Sequence, residues 1–172
     1  MDYHPSFLPP YILERLTESS DPAVRKAAVA SIEASSDVRG ARVVLAMIPA
    51  MGAIPSPAGE KHRLVSDLEP RSPADLPGRL ARCEGSEAAG DPAVDEVYRG
   101  TGVVYDFLRK VLGRNSLDDR GMSLVSSVHV GRNYNNAFWN GEQMAFGDGD
   151  GTVFRRFTRA LDVIGHELVH GV

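Results

Sequence analysis

The sequence predicts an α+β fold, and three observations carry that prediction. Asp21-Pro22 and Asp91-Pro92 each open a run whose apolar residues recur at helical spacing. Between residues 123 and 151 the chain turns to β-branched and aromatic residues punctuated by Asn-Gly and Asp-Gly pairs. From about Thr158 the period is helical again.

A length of 172 residues suits one ordinary domain, or one domain with an added segment, and 42% apolar residues suffice for a core. The net charge of −4 comes from 23 acidic and 19 basic residues with no long run of either sign. It gives no support to nucleic-acid or membrane-surface binding. Cys83 is the only cysteine, which excludes an internal disulfide and a Cys-rich metal site and leaves it as a small packing residue. There is no apolar run long enough to span a bilayer. The segment Met1-Asp2-Tyr3-His4-Pro5-Ser6 lacks the basic and apolar regions of a secretory signal. Composition leaves the compartment open.

Residues 1–50 have their own character. Pro9-Pro10 ahead of Tyr11-Ile12-Leu13-Glu14-Arg15-Leu16 predicts a short helix with proline in its first turn, where the missing N–H costs nothing. Asp21 as N-cap and Pro22 at the first helical position start a second helix, expected to run to about Ser35 with Val24, Ala28 and Ile32 on one face. Two short helices bury little alone, so this segment must dock on the remainder. From Pro49 to Gly90 the chain is rich in Pro, Gly, Ser and Ala. Residues 50–59 are expected to be an exposed, protease-sensitive linker, and the rest irregular strand and loop.

Asp91-Pro92 then launches the longest helix, to about Leu112, with Val94, Val97, Val104, Tyr105, Leu108 and Val111 at helical spacing and Gly113 as the stop. Gly100 and Gly102 inside it permit a close approach or a kink. Ser123 to Val130 reads as a strand, and Tyr134 to Gly151 as a hairpin turning at Asn140-Gly141 with its return strand from Gln143 to Phe146. Gly147-Asp148-Gly149-Asp150-Gly151 fails the EF-hand spacing and is expected to form a tight Asp-Gly turn. In the closing helix, Phe157, Leu161, Ile164, Leu168 and Val172 form an apolar stripe.

Off that stripe lie His166, Glu167 and His170, in the pattern H-E-x-x-H. Four-residue spacing puts both imidazoles on one helical face, where they can reach one Zn²⁺. Glu167 is placed beside a water on that ion and can take its proton as the water attacks a peptide carbonyl. The competing reading is two surface or capping histidines.

Three blocks in order, Asn135-Asn136-Ala137-Phe138-Trp139-Asn140-Gly141, Phe146-Gly147-Asp148-Gly149-Asp150-Gly151 and Leu161 to Val172, resemble the thermolysin-like neutral zinc metallopeptidases of the M4 family, over roughly residues 58–172. Phe7-Leu8-Pro9-Pro10-Tyr11-Ile12-Leu13 resembles the short propeptide of the protealysin-like subgroup. The resemblance implies a helical pro-segment at 1–50 followed, at 51–172, by the β-rich N-terminal lobe of the peptidase, ending in the zinc-binding helix. It implies that His166 and His170 are zinc ligands and Glu167 the catalytic carboxylate. Asn136 and Ala137 would bind substrate as an edge strand pairs with an extended peptide. Trp139 would flank that strand or sit in the core. Phe154, Phe157 and Val163 would line an apolar pocket for a bulky residue after the scissile bond, and Asp162 would match a calcium ligand.

The resemblance further implies a peptide or protein substrate, the chain's own pro-segment as an inhibitor over the cleft, removed autocatalytically, and secretion, with a cytoplasmic location as the alternative. A catalytic zinc needs three protein ligands and water. The family's third, a glutamate, and its C-terminal helical lobe are expected to be absent from these residues, leaving the isolated chain inactive. His62, His129 and Glu142 have no spacing that recommends them as substitutes. Two other readings stay open: a non-catalytic module binding peptides or a partner chain, and a stranded half-domain with no function.

Overall fold

The computed structural model describes residues 7–45 and 60–172. The expected linker at 50–59 lies outside the described residues. Helix α1 spans Pro10–Leu16 and α2 spans Pro22–Leu45; strands β1 (Arg63–Asp67) and β2 (Arg79–Cys83) follow, then α3 (Pro92–Leu112), β3 (Leu124–Val128), β4 (Ala137–Trp139), β5 (Met144–Phe146) and α4 (Leu161–Val169). The five strands form one sheet in the order β2-β1-β3-β5-β4. β1 pairs antiparallel with β2, and β4 with β5, whereas β3 runs parallel to both β1 and β5. This is the expected α+β class, and it leaves β2 and β4 at the edges. Among the described residues no helix is long and apolar enough to cross a membrane.

Capping fixes the helices. Asp91 accepts hydrogen bonds from the N–H groups of Ala93 and Val94, Pro92 occupies the first position, and Gly113 ends α3 at φ 68, a conformation glycine adopts without penalty. In α2, Asp21 likewise caps Ala23. α2 continues ten residues past the expected end at Ser35, where residues 36–45 contain no proline to stop it.

The main core lies between α3, α4 and the sheet, around Val65, Val94, Val97, Leu124, Phe146, Ile164 and Leu168. Val111, expected on the buried face of α3, is 64% exposed, because that face ends at Leu108. Gly100 explains how α4 approaches α3: a Cβ there would overlap Ile164 Cδ1. A second cluster, Leu68, Val130, Tyr134, Phe138 and Ala145, receives Ala34 of α2. There Ser31, fully buried, donates to Ala27 O and accepts from the Asn135 N–H at 2.8 Å, so the N-terminal helices are docked by polar as well as apolar contacts.

The hairpin forms as expected, with Ala137 opposite Phe146 and Trp139 opposite Met144. The closing helix differs. Phe157–Arg159 form a separate 3-10 turn, so α4 begins at Leu161 rather than near Thr158. That offset leaves Leu161 49% and Val172 55% exposed and makes Val163, Ile164, Glu167 and Leu168 the buried face. The stripe expected from the sequence is therefore only half right, and the face that turns inward carries a carboxylate.

Candidate metallopeptidase site

His166 and His170 project from the exposed side of α4, one helical turn apart, with their Nε2 atoms 3.1 Å from each other. Their rings are nearly perpendicular, at 86°, with centroids 4.7 Å apart. Two imidazole nitrogens, each about 2.0–2.1 Å from one tetrahedral zinc, stand roughly 3.3 Å apart. The pair thus converges as two ligands of one ion would. Burial, and then the neighbouring His166, push the pKa of His170 down, which favours the neutral ring that a metal requires.

Glu167, about 60–100° around α4 from the two histidines, turns to the buried side of the same turn. It is wholly inaccessible, and neither carboxylate oxygen has a hydrogen-bond partner among the described residues. Burial raises its pKa to about 8. The main-chain amides of Trp139 and Phe7 pull the other way without closing a hydrogen bond of ordinary geometry. A buried, orphaned carboxyl beside two converging imidazoles is costly to folding, which marks it as a candidate functional group.

Across from α4 runs the edge strand β4, and residues 7–8 lie along it. The Phe7 N–H donates to Ala137 O at 3.1 Å, the Leu8 N–H donates to Asn136 Oδ1 at 2.8 Å, and Asn136 Nδ2 donates to Leu8 O at 3.2 Å. Residues 7–8 thus run antiparallel to β4, held by one main-chain bond and by the Asn136 side chain, as an extended peptide would be. The Phe7 ring stands edge-on to His166 (5.6 Å) and to Phe157 (6.1 Å), and Phe154 stacks on Phe157 at 5.8 Å. Phe7, Phe154, Phe157 and Val163 share one apolar cluster.

The structure thus brings together His166, His170, Glu167, Asn136, Ala137, Phe154, Phe157 and Val163. Trp139 is buried in the core, where Gly171 packs on its ring, rather than open to the groove. Asp162 is exposed in the first turn of α4. Among the described residues no group of three or more His, Cys, Asp or Glu is arranged for a metal, around Asp162 or around the two histidines. His62 bonds Ser123 and His129 bonds Asp91 and Asp148, so both rings have structural roles, and the Glu142 main-chain N–H donates to Asn140 Oδ1.

Sequence reasoning missed the contacts of Phe7 with Phe157 and His166, and Asp150 as a hub. A bulky residue just ahead of Pro9-Pro10, with no helical face of its own to join, was the one available signal for the first. Asp150 accepts three main-chain N–H groups and the Asn135 amide. The sequence pattern disclosed only the turn.

Comparison with known proteins identifies the family and the fold. The description "Thermolysin metallopeptidase, catalytic domain" matches residues 83–172. The chain is 55% identical over 116 residues to an extracellular metalloprotease of Pectobacterium carotovorum subsp. carotovorum, covering 67% of this chain and 33% of that one. It is 51% identical over 111 residues to protease PrtS of Photorhabdus sp. (strain Az29), covering 64% and 29%. Among solved structures, the precursor of protealysin, a metalloproteinase from Serratia proteamaculans, superposes with a TM-score of 0.80 at 43% identity, over 98% of this chain and 46% of that one. The chain spans about a third of the length of the curated relatives it matches. The family match covers more than half of the chain, and the chain belongs to the thermolysin metallopeptidase family.

Proposed function

We propose that this chain is the precursor portion of a zinc-dependent metalloendopeptidase, in which residues 1–50 act as a pro-segment whose Phe7 and Leu8 lie in the peptide-binding groove. The observation that carries the reading is the pairing of Phe7 and Leu8 with Ala137 and Asn136, beside His166 and with Glu167 beneath. A peptide is held there by its main chain, which makes binding tolerant of sequence. Selectivity falls to the pocket of Phe154, Phe157 and Val163, which accepts a bulky apolar side chain after the scissile bond.

His166 and His170 would hold the zinc, with the remaining protein ligand supplied from outside the described residues. The chemistry the ion supplies when bound is Lewis acidity, which lowers the pKa of water toward about 7. Glu167 would take the proton of the attacking water and pass it to the leaving amine. Asn136 and Ala137 align the substrate and Phe7 excludes it until the pro-segment leaves. Export follows the precedent of the extracellular relative.

The test is made on the product of the complete gene. Glu167→Gln should lower peptide hydrolysis by about two to four orders of magnitude. Hydrolysis at an undiminished rate would refute the assignment.

A second reading, a peptide-binding module without turnover, draws on one observation: among the described residues no third ligand joins His166 and His170. On that reading the 172-residue chain binds peptides at β4 but holds zinc only weakly and exchangeably. Sub-nanomolar zinc affinity with turnover by this chain would remove it.

A further inference from the structure

The groove has two sides made by different parts of the chain. One is the Asn135-Asn136-Ala137 segment, whose polar atoms meet the peptide main chain; the other is the loop carrying Phe154, which with Phe157 walls the apolar pocket. A single carboxylate touches both. Asp150 Oδ2 accepts from Asn135 Nδ2 at 2.7 Å, and Asp150 Oδ1 accepts from the N–H groups of Thr152, Val153 and Phe154 at 2.8, 2.8 and 3.1 Å.

We propose that Asp150 is a positioning residue that sets the register between the peptide-pairing strand and the apolar pocket, so that one bound peptide engages both. The proposal rests on the reading of this groove as the substrate site and adds the residue that holds its two sides together.

Three features carry it. Asn135 is wholly buried and its Oδ1 has no hydrogen-bond partner among the described residues, so the bond to Asp150 is what holds its side chain. Asn135 precedes Asn136, whose amide forms two hydrogen bonds with Leu8, so a rotation of Asn135 is felt one residue later at the peptide. The spacing between the sides is also tight: a Cβ at Gly147 would run into Tyr134 O and Asn136 O, and one at Gly149 into Phe154 O. Burial alone would raise the Asp150 carboxyl, but the bond from Asn135 and those from the main chain outweigh it and hold it below the usual carboxylate range.

The alternative is a turn cap and nothing more. Asn135→Ala separates the two roles, because it removes the bond to Asp150 Oδ2 while Asp150 Oδ1 keeps its three main-chain N–H groups. The measurement is native-state amide hydrogen exchange on the 172-residue chain, which needs neither metal nor catalysis, so its outcome is independent of whether the chain is a peptidase. The reporters are Phe7 and Leu8; the references are Leu68, bonded to Val128 O, and Leu124, bonded to His62 O.

Asn135→Ala should speed exchange at Phe7 and Leu8 about tenfold while the references stay unchanged. Adding Asp150→Asn to it should bring no further change, as for two ends of one bond. Should Asn135→Ala not fold, Asn135→Leu, which also lacks the amide, carries the test. Unchanged reporters, equal acceleration of the references, or additive effects would overturn the proposal.

Discussion

Leu8 and Asn136 exchange two hydrogen bonds: the Leu8 N–H donates to Asn136 Oδ1 at 2.8 Å, and Asn136 Nδ2 donates to the Leu8 carbonyl at 3.2 Å. An asparagine side chain here imitates a strand, presenting a donor and an acceptor to one residue of an extended chain. Asn136→Ala removes both contacts and should weaken docking of the N-terminal segment by about 1–3 kcal/mol. Limited proteolysis should then cut near Leu8 faster than in the parent chain. An unchanged cleavage rate would mean that α1 and α2 alone hold the segment.

Gly100 and Ile164 make a separate, purely steric prediction. A methyl group at Gly100 meets Ile164 Cδ1, two residues ahead of His166, so Gly100→Ala should destabilise the chain by about 1–3 kcal/mol. Ile164→Val deletes that atom. The double variant should recover most of the loss in urea denaturation, and additive losses would show that the α3–α4 approach is not what Gly100 serves.

His129 gives a pH dependence. Its Nδ1 meets Asp148 at 2.8 Å and its Nε2 meets Asp91 at 3.1 Å. The bond to Asp148 raises its pKa most, against the opposing effect of burial, and Asp91 adds to it, bringing it from 6.5 to about 9. The folded protein therefore keeps the proton where the unfolded chain has released it. This contribution is complete below about pH 6.5 and fades as pH rises through about 9.

Both carboxylates are more than a third exposed and solvent-screened, so the loss across that window should be about 1–2 kcal/mol. His129 has φ 57, which asparagine tolerates well among residues with a side chain. His129→Asn should flatten the denaturation midpoint between pH 6.5 and 9; a profile as steep as the parent's would place the titration elsewhere.

The sequence was most legible where local chemistry decides structure. Asp91-Pro92 and Gly113 bound α3 where it is found, and Asn140-Gly141 turns the hairpin in the expected place, because caps and tight turns are settled within a few residues. It was least legible where distant segments meet. Nothing in β1, β3 and β5 announces that they run parallel, since that follows from crossovers rather than composition.

For the site, His166 and His170 could be put on one face from spacing alone. The inward face of Glu167 could not, because the stripe through Leu161 and Val172 supposed a longer helix than α4. Phe7 against Phe157 and His166, and Asp150 between the groove's two sides, are long-range or side-chain-to-main-chain contacts that leave no periodic trace.

The central claim is that His166 and His170 bind one zinc ion, and X-ray absorption at the zinc edge of the metal-loaded protein tests it most directly. The account predicts imidazole nitrogen at about 2.0–2.1 Å in the parent and loss of that shell in His166→Ala and His170→Ala. A zinc spectrum that is the same with and without these two side chains would contradict it.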